Sequence, residues 1–151
     1  MPYEQHIREE LDELIQVCRH GAEAYREGAE HTRKLELQRV LYEISAERGK
    51  FAADLERAAA SWGRANLERK DTLYGTLQRG WTELKANLGG GDDAILSALE
   101  AGDDCVRKRY DEAIRYEKTP AEIVGILRNQ AQAIVGTLDR IRTLRRKREA
   151  A

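Results

Sequence analysis

Apolar side chains recur at alternating steps of four and three along almost the whole chain, a period that puts them on one stripe of an α-helix. The first run, about Tyr3 to Glu30, carries Ile7, Leu11, Leu14, Cys18, Ala22, Tyr25 and Ala29. A second, about Arg33 to Trp62, carries Leu37, Leu41, Ile44, Phe51, Leu55, Ala59 and Trp62, and Gly63 is a natural stop after it. A shorter piece, about 72–88, holds Leu73, Leu77, Trp81, Leu84 and Leu88 and ends at Gly89-Gly90-Gly91. The next helix, about 93–117, turns Ile95, Leu99, Val106, Tyr110 and Ala113 inward, with Asp92 or Asp93 as its cap. The last, about 120–147, does so with Ile123, Leu127, Ile134, Leu138 and Ile141. Thr119 suits its N-cap, Pro120 its first position and Glu122 a capping box. No strand alternation interrupts this reading.

Connection lengths select a topology. The first two long helices are joined by a few residues around His31 to Arg33, and the last two by Lys118 to Pro120, so each pair is expected to be an antiparallel hairpin. About thirty residues, Gly63 to Asp92, separate the hairpins and hold the short helix. Two hairpins with one long crossover make the ferritin-like arrangement, whereas an up-down-up-down bundle has three short loops. The expected fold is therefore all-α: one domain over residues 1–151, a ferritin-like four-helix bundle with an extra helix in the crossover.

Charge narrows the partners. Twenty-six basic and 27 acidic residues nearly cancel, which argues against nucleic acid or anionic lipid as a general partner. Cys18 and Cys105 form no C-x-x-C pair and fit a reducing cytoplasm. The start Met1-Pro2-Tyr3-Glu4 has no apolar leader, and no apolar run reaches the length of a membrane span. A soluble, cytoplasmic protein is expected.

Three stretches carry a resemblance. They are Ile15-Gln16-Val17-Cys18-Arg19-His20-Gly21-Ala22-Glu23-Ala24-Tyr25 and on to Glu30; Glu47-Arg48-Gly49-Lys50-Phe51-Ala52-Ala53-Asp54-Leu55; and Leu77-Gln78-Arg79-Gly80-Trp81-Thr82-Glu83-Leu84-Lys85 with Gly91-Asp92-Asp93-Ala94-Ile95-Leu96. Together they resemble an uncharacterised bacterial four-helix-bundle family, a domain of unknown function in the ferritin-like superfamily. The resemblance implies the fold and no established activity.

A di-iron centre in such a bundle needs one Glu from each of two helices and a Glu-x-x-His pair from each of the others. The histidines are His6, His20 and His31, and none follows a Glu by three residues. In Glu47-Arg48-Gly49-Lys50 a lysine holds the histidine position, and the last helix has no Glu between Ile123 and Arg148. At about 100° per residue, Glu23, Glu27 and Glu30 point away from the core stripe; Glu23 and Glu27 are expected to pair with Arg19 and Arg26 in solvent. His20 with Glu23 could at most make an adventitious surface metal site, since three or more ligands are usually needed. No metal and no other cofactor is expected.

Three polar residues nevertheless fall on inward stripes: Arg48 between Ile44 and Phe51, Asp103 between Leu99 and Val106, and Gln130 between Leu127 and Ile134. A buried charge without a partner is very costly, so an Arg48–Asp103 ion pair is expected, with Gln130 and the Tyr25 or Tyr110 hydroxyl nearby. The bland alternative has Arg48 reaching out to solvent at a helix seam.

Other chemistry is thin. Cys18 and His20 point about 160° apart on a helix, so no nucleophile–base pair forms and Cys18 reads as a small core residue. Asp92 and Asp93 would repel phosphate from the glycine run. Arg140, Arg142, Arg145, Arg146, Lys147 and Arg148 make a basic tail that suits a helix C-terminus better than nucleic acid. Leu77, Trp81, Leu84 and Leu88 give the crossover helix an apolar face, which either packs across the bundle or forms a contact surface for a protein partner or a homodimer. A non-enzymatic structural or interaction protein is the expected function; a di-iron-type oxidoreductase or metal-storage protein is the rival.

Overall fold

The computed structural model describes residues 2–63, 81 and 83–150. Four long helices account for most of them: α1 (Pro2–His31), α2 (Leu35–Ala60), α3 (Asp92–Arg115) and α4 (Ala121–Ala150). Residues 83–87 of the crossover are also helical, and no strand occurs among the described residues. Leu73 and Leu77, on the crossover, lie outside them.

Two buried clusters give the directions of the helices. One end of the bundle collects Ile7 to Cys18 of α1, Ala52 and Leu55 of α2, Val106 to Ala113 of α3, and Ile123 to Ile134 of α4. The other collects Ala24 to Ala29, Leu37 to Ile44, Ile95 to Leu99, and Ile141, together with Leu84 of the crossover. Thus α1 and α4 run one way and α2 and α3 the other, in two antiparallel hairpins. The end of α2 and the start of α3 therefore lie at opposite ends of the bundle. Around the square, α1 lies between α2 and α3, and α4 touches α3 and α2. These are the surfaces that the four-and-three spacing makes apolar, and burying them is the main force holding the helices together.

The crossover closes the α1–α3 face. Trp81 meets Tyr25 of α1 edge-on, with ring centroids 6.4 Å apart. It also lies so close over α3 that a Cβ at Gly102 would overlap the indole. Leu84 is wholly buried, and Trp81 and Leu88 pack half-buried against the core. The surface expected to receive a partner is in this part turned inward, because its apolar face completes the bundle itself.

Caps differ from expectation. Helix α4 begins at Ala121, and the Thr119 hydroxyl donates back to the Ala113 carbonyl of α3 (3.3 Å) and does not cap α4. Asp92 does not cap its own helix either. Its carboxylate accepts the backbone N–H groups of Arg33 (2.8 Å) and Lys34 (3.2 Å), so it caps the start of α2 from across the bundle end. Lys34, the N-cap residue of α2, makes no side-chain cap of its own. Asp92→Ala is therefore expected to lower stability by about 1–2 kcal/mol, read as a lower urea midpoint at constant m. No described helix is long and apolar enough to cross a membrane.

Candidate functional site

The polar residues of the inward stripes meet in the middle of the bundle, and they do so in two tiers. In the first, Arg48 of α2 donates from Nη1 to Asp103 Oδ1 (2.6 Å) and from Nη2 to Oδ2 (2.7 Å), a two-pronged pair in which both side chains are 1% exposed or less. The Tyr25 hydroxyl of α1 donates to Asp103 Oδ2. The guanidinium also sits over the Tyr25 ring, 5.2 Å from its centroid. A Cβ at Gly21 would come within 3.3 Å of Nη1, so a small residue on α1 makes room for the group. Three helices are joined here through one carboxylate.

The second tier lies one heptad away on both α1 and α3, about 10 Å along the bundle axis. The Tyr110 hydroxyl donates to Gln130 Oε1 (2.6 Å). Having given its proton to the amide, it accepts from the Cys18 thiol, whose sulfur is 3.0 Å away. Gln130 Nε2 in turn donates to the Phe51 carbonyl of α2 (3.3 Å). The chain Cys18–Tyr110–Gln130–Phe51 thus visits all four helices. Gln130 does not take part in the Arg48–Asp103 group; it spends its amide on the other tier.

Electrostatics follow from depth. Burial alone would lower the Arg48 pKa, but the Asp103 carboxylate offsets this and holds it above its ordinary value. Burial and the neighbouring Asp103 charge push the Tyr25 hydroxyl well up, and burial beside Cys18 does the same to Tyr110. Burial raises the Cys18 thiol to about 11. The Arg48 Nε–H finds no hydrogen-bond acceptor among the described residues. Cys18, Tyr25 and Tyr110 therefore keep their protons at neutral pH. With Cys18 buried and Cys105 exposed, one of the two thiols is expected to react with a thiol reagent in the native protein, and Cys18 at least about 100-fold more slowly until the chain unfolds.

The outward residues are engaged elsewhere. Arg19 pairs with Glu56, and Arg26 with Glu30 at 3.4 Å, so Glu23 and Glu27 are not the partners of those arginines. His20, Glu23 and Glu27 instead line a groove of about 460 Å³ with Trp81 and Lys85. Among the described residues no three His, Cys, Asp or Glu side chains stand close enough to hold a metal. The basic tail meets acids: Arg140 with Glu43 (3.6 Å), Arg142 with Glu100 (3.5 Å), and Arg145 with Asp93 (3.5 Å) and Glu100 (3.1 Å). Arg146 donates to the Thr143 hydroxyl (3.4 Å).

Sequence reasoning missed one buried cation. Arg109 of α3 is 6% exposed and bridges to Glu10 (3.0 Å) and Glu13 of α1. It flanks the Val106–Tyr110 stripe, and the only signal for it was a pair of acids at matching height on the helix opposite.

No curated protein matches the chain. Residues 6–116 match a family of undefined activity. The match runs from α1 to the end of α3 and takes in every residue of the two tiers except Gln130. On that match, spanning well over half its length, the chain belongs to the family described as Domain of unknown function (DUF2383).

Proposed function

We propose that this protein is a ferritin-like bundle without a di-iron site, and that it serves in the cytoplasm as a non-enzymatic structural or interaction protein. The observation that carries this reading is the Arg48 guanidinium seated on Asp103 at the middle of the bundle. At that height a di-iron protein gathers carboxylates and histidines around open coordination positions. Here the carboxylate is already saturated by Arg48 and Tyr25, and the tier beside it ends on a backbone carbonyl. Such groups fix helix register and rotation, because any slip would strand a buried charge. With the interior given to holding the helices, what the protein does falls to its outer faces. Two free thiols suit a reducing compartment.

Elemental analysis tests this against the metal-dependent alternative. Protein purified without chelators, loaded with ferrous iron and desalted, is expected to keep fewer than about 0.1 irons per chain. Retention of about two per chain would overturn the reading.

A further inference from the structure

Among the described residues the large exposed hydrophobics are Leu35, Tyr42 and Val135, at 62%, 45% and 42% exposure. Two of the three stand on one ridge of α2. Leu35, Tyr42, Ala46 and Gly49 are all exposed and share one line with half-buried Ala53, bounded by exposed Arg39 near one end and Glu56 at the other. This is a second apolar seam, on the side of α2 opposite Leu37, Leu41, Ile44 and Leu55. A Cβ at Gly49 would meet nothing within 4 Å, so no contact inside the chain calls for glycine there. In a helix interior glycine costs about 1 kcal/mol relative to alanine. Close approach of another helix would explain it.

The charges beside the seam name the occupant. Glu36, Glu43, Lys50 and Arg57 lie along one flank of the seam at steps of seven, acids first and bases second. Set against an antiparallel copy of the same helix, Glu36 faces Arg57 and Glu43 faces Lys50, each pair occurring twice about the twofold axis. The opposite flank offers uncharged Gln38 and Ser45, and exposed Glu56, on the same face as Gln38, comes opposite Arg39 of the copy in this register. A parallel copy would bring like flanks no such match. The sequence of charges is complementary to itself in one orientation only.

We infer that the outer ridge of α2 binds a second copy of this chain in antiparallel register, with Ala46 and Gly49 at the closest approach and Tyr42 packed over Ala53 of the partner copy. This deepens the reading of the chain as an interaction protein and places its contact on α2, not on Trp81 and Leu84.

Sedimentation equilibrium of the full chain tests it. At about 100 µM the wild type is expected to sediment at twice the chain mass. Lys50→Glu, at an exposed position, should weaken the dimer at least about tenfold by setting Glu43 against a second acid, and Glu43→Lys added to it should restore the wild-type affinity. Gly49→Gln should give a folded monomer with unchanged helicity by circular dichroism. A wild type that stays monomeric at that concentration overturns the inference. So does a dimer indifferent to Lys50→Glu and Gly49→Gln, or one that the double reversal fails to rescue. A monomer that also takes up no iron leaves the non-enzymatic reading standing without its dimer, so the two fail separately.

Discussion

Arg48→Ala is expected to lower the unfolding free energy by about 3–5 kcal/mol, the loss typical of breaking a buried ion pair from one side. The substitution leaves the Asp103 carboxylate fully buried with a single remaining donor, the Tyr25 hydroxyl. It also opens a cavity where the guanidinium packed against Tyr25 and Gly21. Against a total of about 5–15 kcal/mol for a domain, that is a large fraction, and the urea midpoint should fall accordingly at unchanged m. Replacing the whole group separates the two parts of the loss. Arg48→Met, Asp103→Leu and Tyr25→Phe together remove the charge, the counter-charge and the hydroxyl that served them. Most of the lost stability should return, because removing both partners of a buried pair for apolar groups of similar size is often neutral. A midpoint unmoved by Arg48→Ala alone would mean that the guanidinium has water to turn to, and that the pair is not what joins α2 to α3.

Helix number and hairpin pairing are legible because both depend on local signals, period and connection length, which the chain writes residue by residue. Depth is legible for the same reason: Arg48, Asp103 and Gln130 lie in step with Ile44, Leu99 and Leu127, and a residue in step with buried neighbours is carried inward with them. Pairing between helices is a different quantity. Whether Gln130 reaches Arg48 or Tyr110 depends on the height at which α4 sits against α2 and α3, and a shift of two turns, about 11 Å, exchanges the partners. No single helix encodes that height. Caps fail on the same ground. Asp92 stands where an N-cap belongs, yet the α1–α2 turn comes close enough to present two unsatisfied N–H groups, and a carboxylate goes to the donors that lack another acceptor. The outer ridge of α2 shows the limit from the other side: a search for the strongest stripe passes over Leu35, Tyr42 and Ala46, which lie off it.

Raising the pH should unfold the protein cooperatively near pH 11–12, through the protons that the two tiers hold. Cys18, Tyr25 and Tyr110 all have folded pKa values raised above their ordinary ones, because burial penalises the thiolate and the phenolates. A group raised in the folded state contributes stability that is complete below its unfolded pKa and is lost as pH rises toward the folded one. For the thiol the loss begins near its ordinary 9.0 and ends at about 11. For the two tyrosines it begins near 10.0 and continues upward. Each group that stays protonated only in the fold removes about 1.4 kcal/mol per pH unit, so the two tyrosines together remove close to 3, and about two units consume a typical margin of stability. The phenolate absorbance of Tyr25 and Tyr110 should therefore appear together with the loss of helical circular dichroism. Tyr110→Phe should lower the steepness of that transition by about one proton, a change that a general loss of stability would not produce. Ionisation of Tyr25 and Tyr110 near pH 10 with helicity intact would mean that water reaches both tiers, and a bundle so wetted could not owe its register to them.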